Sequence, residues 1–166
     1  MLIRERSPDD LEECVRVLGE VHHTDGYPAN WPADPAGWLT RPGLIAAWVA
    51  VHDGHLIGHV GLSRPRPGHA AVALFTAGSG ADGGVAMMSR LFVDPAARGL
   101  GAGTALAEHV VHEARARGLH AVLDVLDAED SAAIALYERL GWRLLGRVPQ
   151  HWGPRQVTVR CYAAPD

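Results

Sequence analysis

The sequence predicts an α/β (α+β) chain built on a mixed, mostly antiparallel sheet of six to seven strands, flanked by about four helices. Three observations predict it. One hairpin joins Ile45 to Val51 with His55 to Arg64 across Asp53-Gly54, a dipeptide that favours the two-residue turn matching strand twist. A second joins Trp142 to Val148 with Val157 to Ala163. Between them, a strand from Val85 to Val93, a helix ending at Gly118 and a strand from Ala121 to Leu126 form a crossover, which makes those two strands parallel neighbours. A chain of 166 residues, 48% hydrophobic, has a single-domain length and can bury roughly 70% of its unfolded surface. One domain over residues 1–166 is therefore expected.

Taken in order, Leu2 to Arg6 reads as an edge strand. Ser7-Pro8 then supplies an N-cap and a first-turn proline for a helix with Leu11, Val15 and Leu18 on one face, ending at Gly19 or a little beyond. From His22 to Arg41 the chain reads as loop, with a short helix at Asp34 to Leu39. A long excursion stiffened by Pro28 and Pro32 and carrying Tyr27 and Trp31 is usually functional. In the second strand of the first hairpin, His55, Ile57, His59 and Gly61 share a face, where histidines read as structural or surface residues. Pro65-Arg66-Pro67-Gly68 breaks the sheet. Ala70 to Ala77 alternates like a strand, but its alanines and Gly78 favour a helix. Gly78 to Gly84 reads as a flexible glycine-rich loop. Asp127 reads as the cap of a helix running through Leu140 to Gly141, and His151, Trp152, Gly153 and Pro154 as the last hairpin's loop.

Composition excludes several functions. A net charge of −4 with scattered arginines argues against a nucleic-acid partner. The chain contains no lysine. That removes a Walker A phosphate loop and a pyridoxal-phosphate Schiff base. Cys14 and Cys161 lie far apart without metal-ligand spacing, and the His22-His23-Asp25 cluster lacks a matching ligand pair, so neither a disulfide framework nor a metal is expected. No apolar run approaches membrane length, and early charges at Arg4, Glu5 and Arg6 break a signal-peptide pattern. The expectation is a cytoplasmic protein with no membrane partner.

The chemistry concentrates between Leu91 and Leu106. A strand stopped by Asp94-Pro95 leads to a helix in which Leu106, Val110 and Ala114 recur every fourth residue, and Gly99, Gly101 and Gly103 stand where that helix begins. Each glycine disfavours helix by roughly 1 kcal/mol relative to alanine. Bare backbone offers a reason, since unpaired first-turn amides and the helix dipole together attract an anion such as a phosphate. Arg98 suits the same ligand. A glycine-rich turn that merely packs helix on sheet is the competing account. The dinucleotide fingerprint G-x-G-x-x-G fails in both registers, ending at Thr104 or Leu106.

The pattern Arg98-x-x-Gly101-x-Gly103, followed downstream by Ala133-Ile134-Ala135-Leu136-Tyr137-Glu138-Arg139-Leu140-Gly141-Trp142, resembles the GNAT superfamily of N-acetyltransferases. The likeness covers residues 85 to 145 well, and the first 84 residues only in their order of elements. It implies a twisted sheet whose central parallel pair splays at an acetyl-CoA site, with acetyl-CoA as co-substrate. It also implies transfer of acetyl to a primary amine of a small molecule or peptide by direct attack in a ternary complex. The implied cofactor-binding residues are Leu91, Phe92, Val93, Arg98, Gly99, Leu100, Gly101, Ala102, Gly103, Thr104, Asp130 and Tyr137. Tyr137 is also the implied catalytic acid for the departing thiol, while Asp25, Tyr27 and Trp31 fall on the acceptor side. A homodimer is left open. Two departures stand out: Asp130 replaces a common asparagine and loses its amide donors, and the strand reading Met87-Met88-Ser89-Arg90 lacks the usual glutamate base. Asp124, His23, Asp25 or water are the alternatives for that base. The missing glutamate is also the only support for a rival, a CoA-binding sensor or scaffold without transfer activity.

Overall fold

The computed structural model describes residues 1–79 and 84–166. Two compact units divide it, Met1–Ser63 with Met88–Val110, and Arg64–Met87 with Val111–Asp166. Among the described residues there are seven strands: β1 (Leu2–Glu5), β2 (Leu44–His52), β3 (His55–Ser63), β4 (Gly84–Val93), β5 (Leu119–Leu126), β6 (Arg143–Trp152) and β7 (Arg155–Ala163). The helices are α1 (Leu11–Asp25), α2 (Pro35–Leu39), α3 (Ala70–Ser79), α4 (Ala102–Ala116) and α5 (Ala132–Arg139).

In the first unit the strands hydrogen bond in the order β1-β2-β3-β4. The β2–β3 turn places Asp53 and Gly54 at φ 50° and 76°, the left-handed pair that Asp-Gly supplies at little cost. Cys14, Val17, Leu18 and Val21 of α1 pack with Leu39, Val49, Leu56 and Phe92. Helix α1 thus runs to Asp25, well past the expected end at Gly19 or a little beyond. Val21 continues the buried stripe, and the helix ends only at Gly26, whose φ of 74° and amide to the His22 carbonyl (2.9 Å) close it. His22, His23 and Asp25 are therefore helical rather than loop residues.

In the second unit the order is β4-β5-β7-β6. The parallel ladder pairs Gly84–Met87 with Leu119–Val122, and β7 runs antiparallel to both β5 and β6. Helix α3 is confirmed as a helix. Its Ala71 and Phe75 pack with Met87, Val122, Val159 and Cys161, and the Ala71 amide donates to Asp124 Oδ1 at 3.0 Å. Three local expectations change. Ser131, not Asp127, caps α5, accepting from the Ile134 amide at 3.1 Å; the Asp127 carboxylate instead receives Arg160 Nε at 2.6 Å, a charge pair that outcompetes a lone cap. His151 and Trp152 extend β6, because the turn tightens onto Gly153 at φ 65°. Of the expected loop Gly78 to Gly84, Gly78 lies within α3, which runs to Ser79, Gly84 starts β4, and 80–83 lie outside the described residues.

Candidate active site

Strand β4 and the start of α4 position the glycine loop. Asp94 stops β4: its amide donates to the Ile57 carbonyl at 2.8 Å and its side chain accepts from the Ala96 amide at 3.0 Å, turning the chain through one 3₁₀ turn, Pro95–Ala97. Gly99 and Gly101 take φ 88° and 80°, which glycine alone adopts freely. Their conformation thus accounts for two of the three glycines before any ligand is considered. A Cβ built on either would meet nothing within 4 Å, so the loop's outer side is open. Gly101 offers its carbonyl to Ala105 at 3.0 Å as the first helical bond. The amides of Ala102, Gly103 and Thr104 consequently have no acceptor within their own helix. Leu106 and Val110 are wholly buried, anchoring the helix start, while Leu100 remains 47% exposed.

Arg98 leans across this loop to the end of α1, where its guanidinium pairs with both carboxylate oxygens of Asp25, one bond being 3.2 Å. That hydrogen bond raises the Arg98 pKa. The structure thus brings Asp25, expected on the acceptor side, to the predicted cofactor loop. Tyr27 and Trp31 follow directly. Trp31 lies over α1 with its ring 5.3 Å from that of His22 and 3.8 Å from where a Gly19 Cβ would stand, which gives the mid-helix glycine a packing role. Tyr27 meets Trp38 edge-on at 6.2 Å. The Trp38 ring in turn carries the Arg90 guanidinium at 4.1 Å, and its carbonyl accepts Arg90 Nε at 2.9 Å.

In the second unit, Tyr137 is buried at 6% exposure on α5, beside the rings of Trp142 at 5.6 Å and Tyr162 at 6.3 Å. Asp130 is an exposed turn residue just ahead of the α5 cap. Of the alternatives to the missing glutamate, Asp124 is engaged by α3 and His23 is exposed. Among the described residues no three metal-ligating side chains cluster, and no helix is long and apolar enough to cross a membrane.

Sequence reasoning gave no role to Trp38, Arg90 or Arg6; it read His59 as a structural or surface histidine, and the structure makes it a buried structural one. His59 is wholly buried on β3; Nδ1 lies 2.9 Å from the Arg90 carbonyl and Nε2 lies 2.9 Å from Arg6 Nη1. Burial pushes its pKa down from 6.5 to about 3, helped by the positive charges of Arg6 and Arg90. The unfolded chain then takes up a proton below pH 6.5 that the folded one refuses. Stability is full above that pH and falls as pH drops toward 3, by up to about 1.4 kcal/mol per unit. Urea midpoints should accordingly decline between pH 7 and 5, with a flatter decline in His59→Asn; an identical slope would place the acid sensitivity elsewhere.

Comparison with known proteins bears on the family and the fold. Residues 10–142 match the family model described as the acetyltransferase (GNAT) family. An IAA acetyltransferase of Azospirillum brasilense is 39% identical over 134 residues, 80% of this chain and 73% of that protein. A mycothiol acetyltransferase of Rhodococcus erythropolis is 27% identical over 82% of this chain but only 44% of its own length. An L-methionine sulfoximine/L-methionine sulfone acetyltransferase of Pseudomonas aeruginosa is 38% identical over 53 residues, 31% of its length. This chain thus spans under half of the latter two relatives. Among solved structures, Arabidopsis thaliana NAA60 in complex with acetyl-CoA superposes with a TM-score of 0.73 at 22% identity, covering 98% of this chain and 96% of that one. The ribosomal-protein-alanine N-acetyltransferase of Brucella melitensis gives 0.71 at 24% identity, covering 98% of each.

Proposed function

Because the chain belongs to the acetyltransferase (GNAT) family, we propose that it is an N-acetyltransferase that moves an acetyl group from acetyl-CoA to a primary amine of a small molecule or peptide, acting as one domain. The observation that carries this reading is the loop from Arg98 to Thr104. There an open glycine face and three helix-start amides offer a place for a pyrophosphate, and Arg98, paired with Asp25, stands at the start of the same loop. The family match extends over parts of both compact units, which supports treating them as one catalytic domain.

Acetyl-CoA, when bound, supplies an activated thioester. The amides of Leu91 to Val93 polarise the carbonyl oxygen as negative charge builds on it. The neutral amine forms the new C–N bond, the C–S bond breaks, and the Tyr137 hydroxyl gives its proton to the departing sulfur. The proton lost by the amine passes to water, since the β4 segment reading Met87-Met88-Ser89-Arg90 carries no carboxylate. Asp25 steadies Arg98, and Tyr27, Trp31 and Trp38 form the acceptor wall.

Thermal melting with acetyl-CoA, NAD and ATP in parallel tests the cofactor. At a hundred times its Kd a ligand stabilises by about 2.7 kcal/mol, or several degrees for a chain this size. Only acetyl-CoA should shift the transition; a shift with NAD alone would overturn the reading. Tyr27→Ala and Trp31→Ala should each raise the acceptor KM by about tenfold, equivalent to 1.4 kcal/mol, with acetyl-CoA affinity little changed. A response confined to acetyl-CoA affinity would mean that these residues belong to the cofactor half.

A further inference from the structure

Strand β4 contains a residue in a conformation that side chains rarely adopt: Arg90 has φ 53°. Such strain persists only where the surroundings over-determine it. Here they do so from two sides. The Arg90 side chain is pinned on Trp38, through Nε to the Trp38 carbonyl at 2.9 Å and through the guanidinium over the ring. The Arg90 carbonyl is pinned by His59 Nδ1 at 2.9 Å.

The tautomer of His59 follows from its other neighbour. Arg6 Nη1 lies 2.9 Å from Nε2 and also donates to the Leu39 carbonyl at 2.9 Å. Arginine has no acceptor, so Nε2 must offer its lone pair and Nδ1 must carry the hydrogen. The ring is held further by stacking on Phe92, with centroids 5.0 Å apart and planes 16° from parallel. The residues around it are shaped for close approach. A Cβ on Gly58 would stand 3.1 Å from the Phe92 carbonyl oxygen and 3.0 Å from Leu106, and one on Gly61 would stand 3.4 Å from the Ser89 carbonyl oxygen. Glycines on either side of His59-Val60 thus let β3 lie against the β4 backbone just before and after the kink.

We propose that His59 is a positioning residue for acetyl transfer: by donating to the Arg90 carbonyl it holds the kink that aims the following amides, Leu91 to Val93, at the acyl oxygen. This rests on the role assigned above to those amides. Arg6 acts one step further back, fixing the histidine's tautomer. His59 touches neither substrate nor cofactor, and its effect is expected in the turnover step rather than in binding.

The test compares parent, His59→Leu and His59→Asn in steady-state kinetics, in acetyl-CoA affinity by calorimetry, and in the carbonyl stretching band of bound isotope-labelled acetyl-CoA. Asparagine places an amide donor where Nδ1 stands. His59→Leu should lower kcat per folded molecule on the order of 10²-fold, the scale of a small misplacement at a reacting centre, with acetyl-CoA affinity unchanged. The carbonyl band, red-shifted in the parent, should return toward its solution position. His59→Asn should recover most of both. Parent-like kcat in His59→Leu, or an asparagine variant no better than leucine, would overturn the proposal. A band that stays red-shifted in His59→Leu would overturn the role of His59 alone, whereas no red shift in the parent would overturn the role of the amides themselves. If His59→Leu does not fold, His59→Gln decides, because its amide reaches the Nε2 position and keeps Arg6 while losing the donor to Arg90. Low kcat with a parent-like melting temperature supports the proposal, and parent-like kcat rejects it.

Discussion

Tyr137→Phe is expected to lower kcat by roughly 10² to 10⁴ while acetyl-CoA affinity barely moves. Phenylalanine keeps the ring that packs against Trp142 and Tyr162 in the α5 core and removes only the hydroxyl. If that hydroxyl protonates the departing thiolate, its loss falls on the transition state, where sulfur carries the developing charge, and not on the ground state. The defect should shrink wherever water readily protonates the thiolate, whose thiol has an ordinary pKa of about 8.5 when on cysteine. A tyrosine that serves only the fold behaves differently. Losing one buried hydroxyl bond would lower stability by about 1 kcal/mol and leave turnover per folded molecule near normal. Thiol release and melting temperature, measured on one preparation, separate the two. Parent-rate turnover in the variant would end the assignment and shift weight to water as the proton donor.

Gly101→Val should weaken acetyl-CoA binding on the order of 10²-fold or beyond detection, since a branched side chain would stand in the open face of the loop. The structure adds a cost that composition alone does not suggest. At φ 80° a β-branched residue is strained by about 1 to 3 kcal/mol, so the variant should melt lower as well as bind less. A control separates strain from occlusion. Gly118, just past the far end of α4, has φ 71° and likewise nothing within 4 Å of a Cβ position. Gly118→Val should therefore lose similar stability and keep its acetyl-CoA affinity. Equal affinity in Gly101→Val and parent by calorimetry would remove the phosphate-loop claim, and equal losses in both variants would reduce it to a folding effect.

What could be read from the sequence was set by interactions within a few residues. The Asp53-Gly54 hairpin, the fourfold repeat of Leu106, Val110 and Ala114, and the strand-loop-helix run through Gly101 all follow from turn chemistry and periodicity, and the structure has each of them. Even the ambiguous Ala70 to Ala77 resolved as its alanines suggested. Local reasoning failed wherever a distant partner outbid a local preference. Gly19 does not end α1, because Val21 has a core to join and Trp31 covers the glycine. Asp127 does not cap α5, because Arg160 on another strand claims it.

The site divides along the same line. Local pattern is enough to reveal which groups are offered: a glycine-opened helix start, an arginine beside it, a tyrosine on the inward face of α5 and an aromatic loop. How they are held depends on contacts between segments far apart in the chain. Asp25 reaches Arg98 across 73 residues of chain, and Arg90 keeps its left-handed turn through His59, 31 residues away, which itself depends on Arg6. Motif spacing reports backbone geometry that a short segment imposes on itself. A strained dihedral and the tautomer of a buried histidine are imposed from outside, by whichever strand and helix happen to pack there, and no short-range pattern records them.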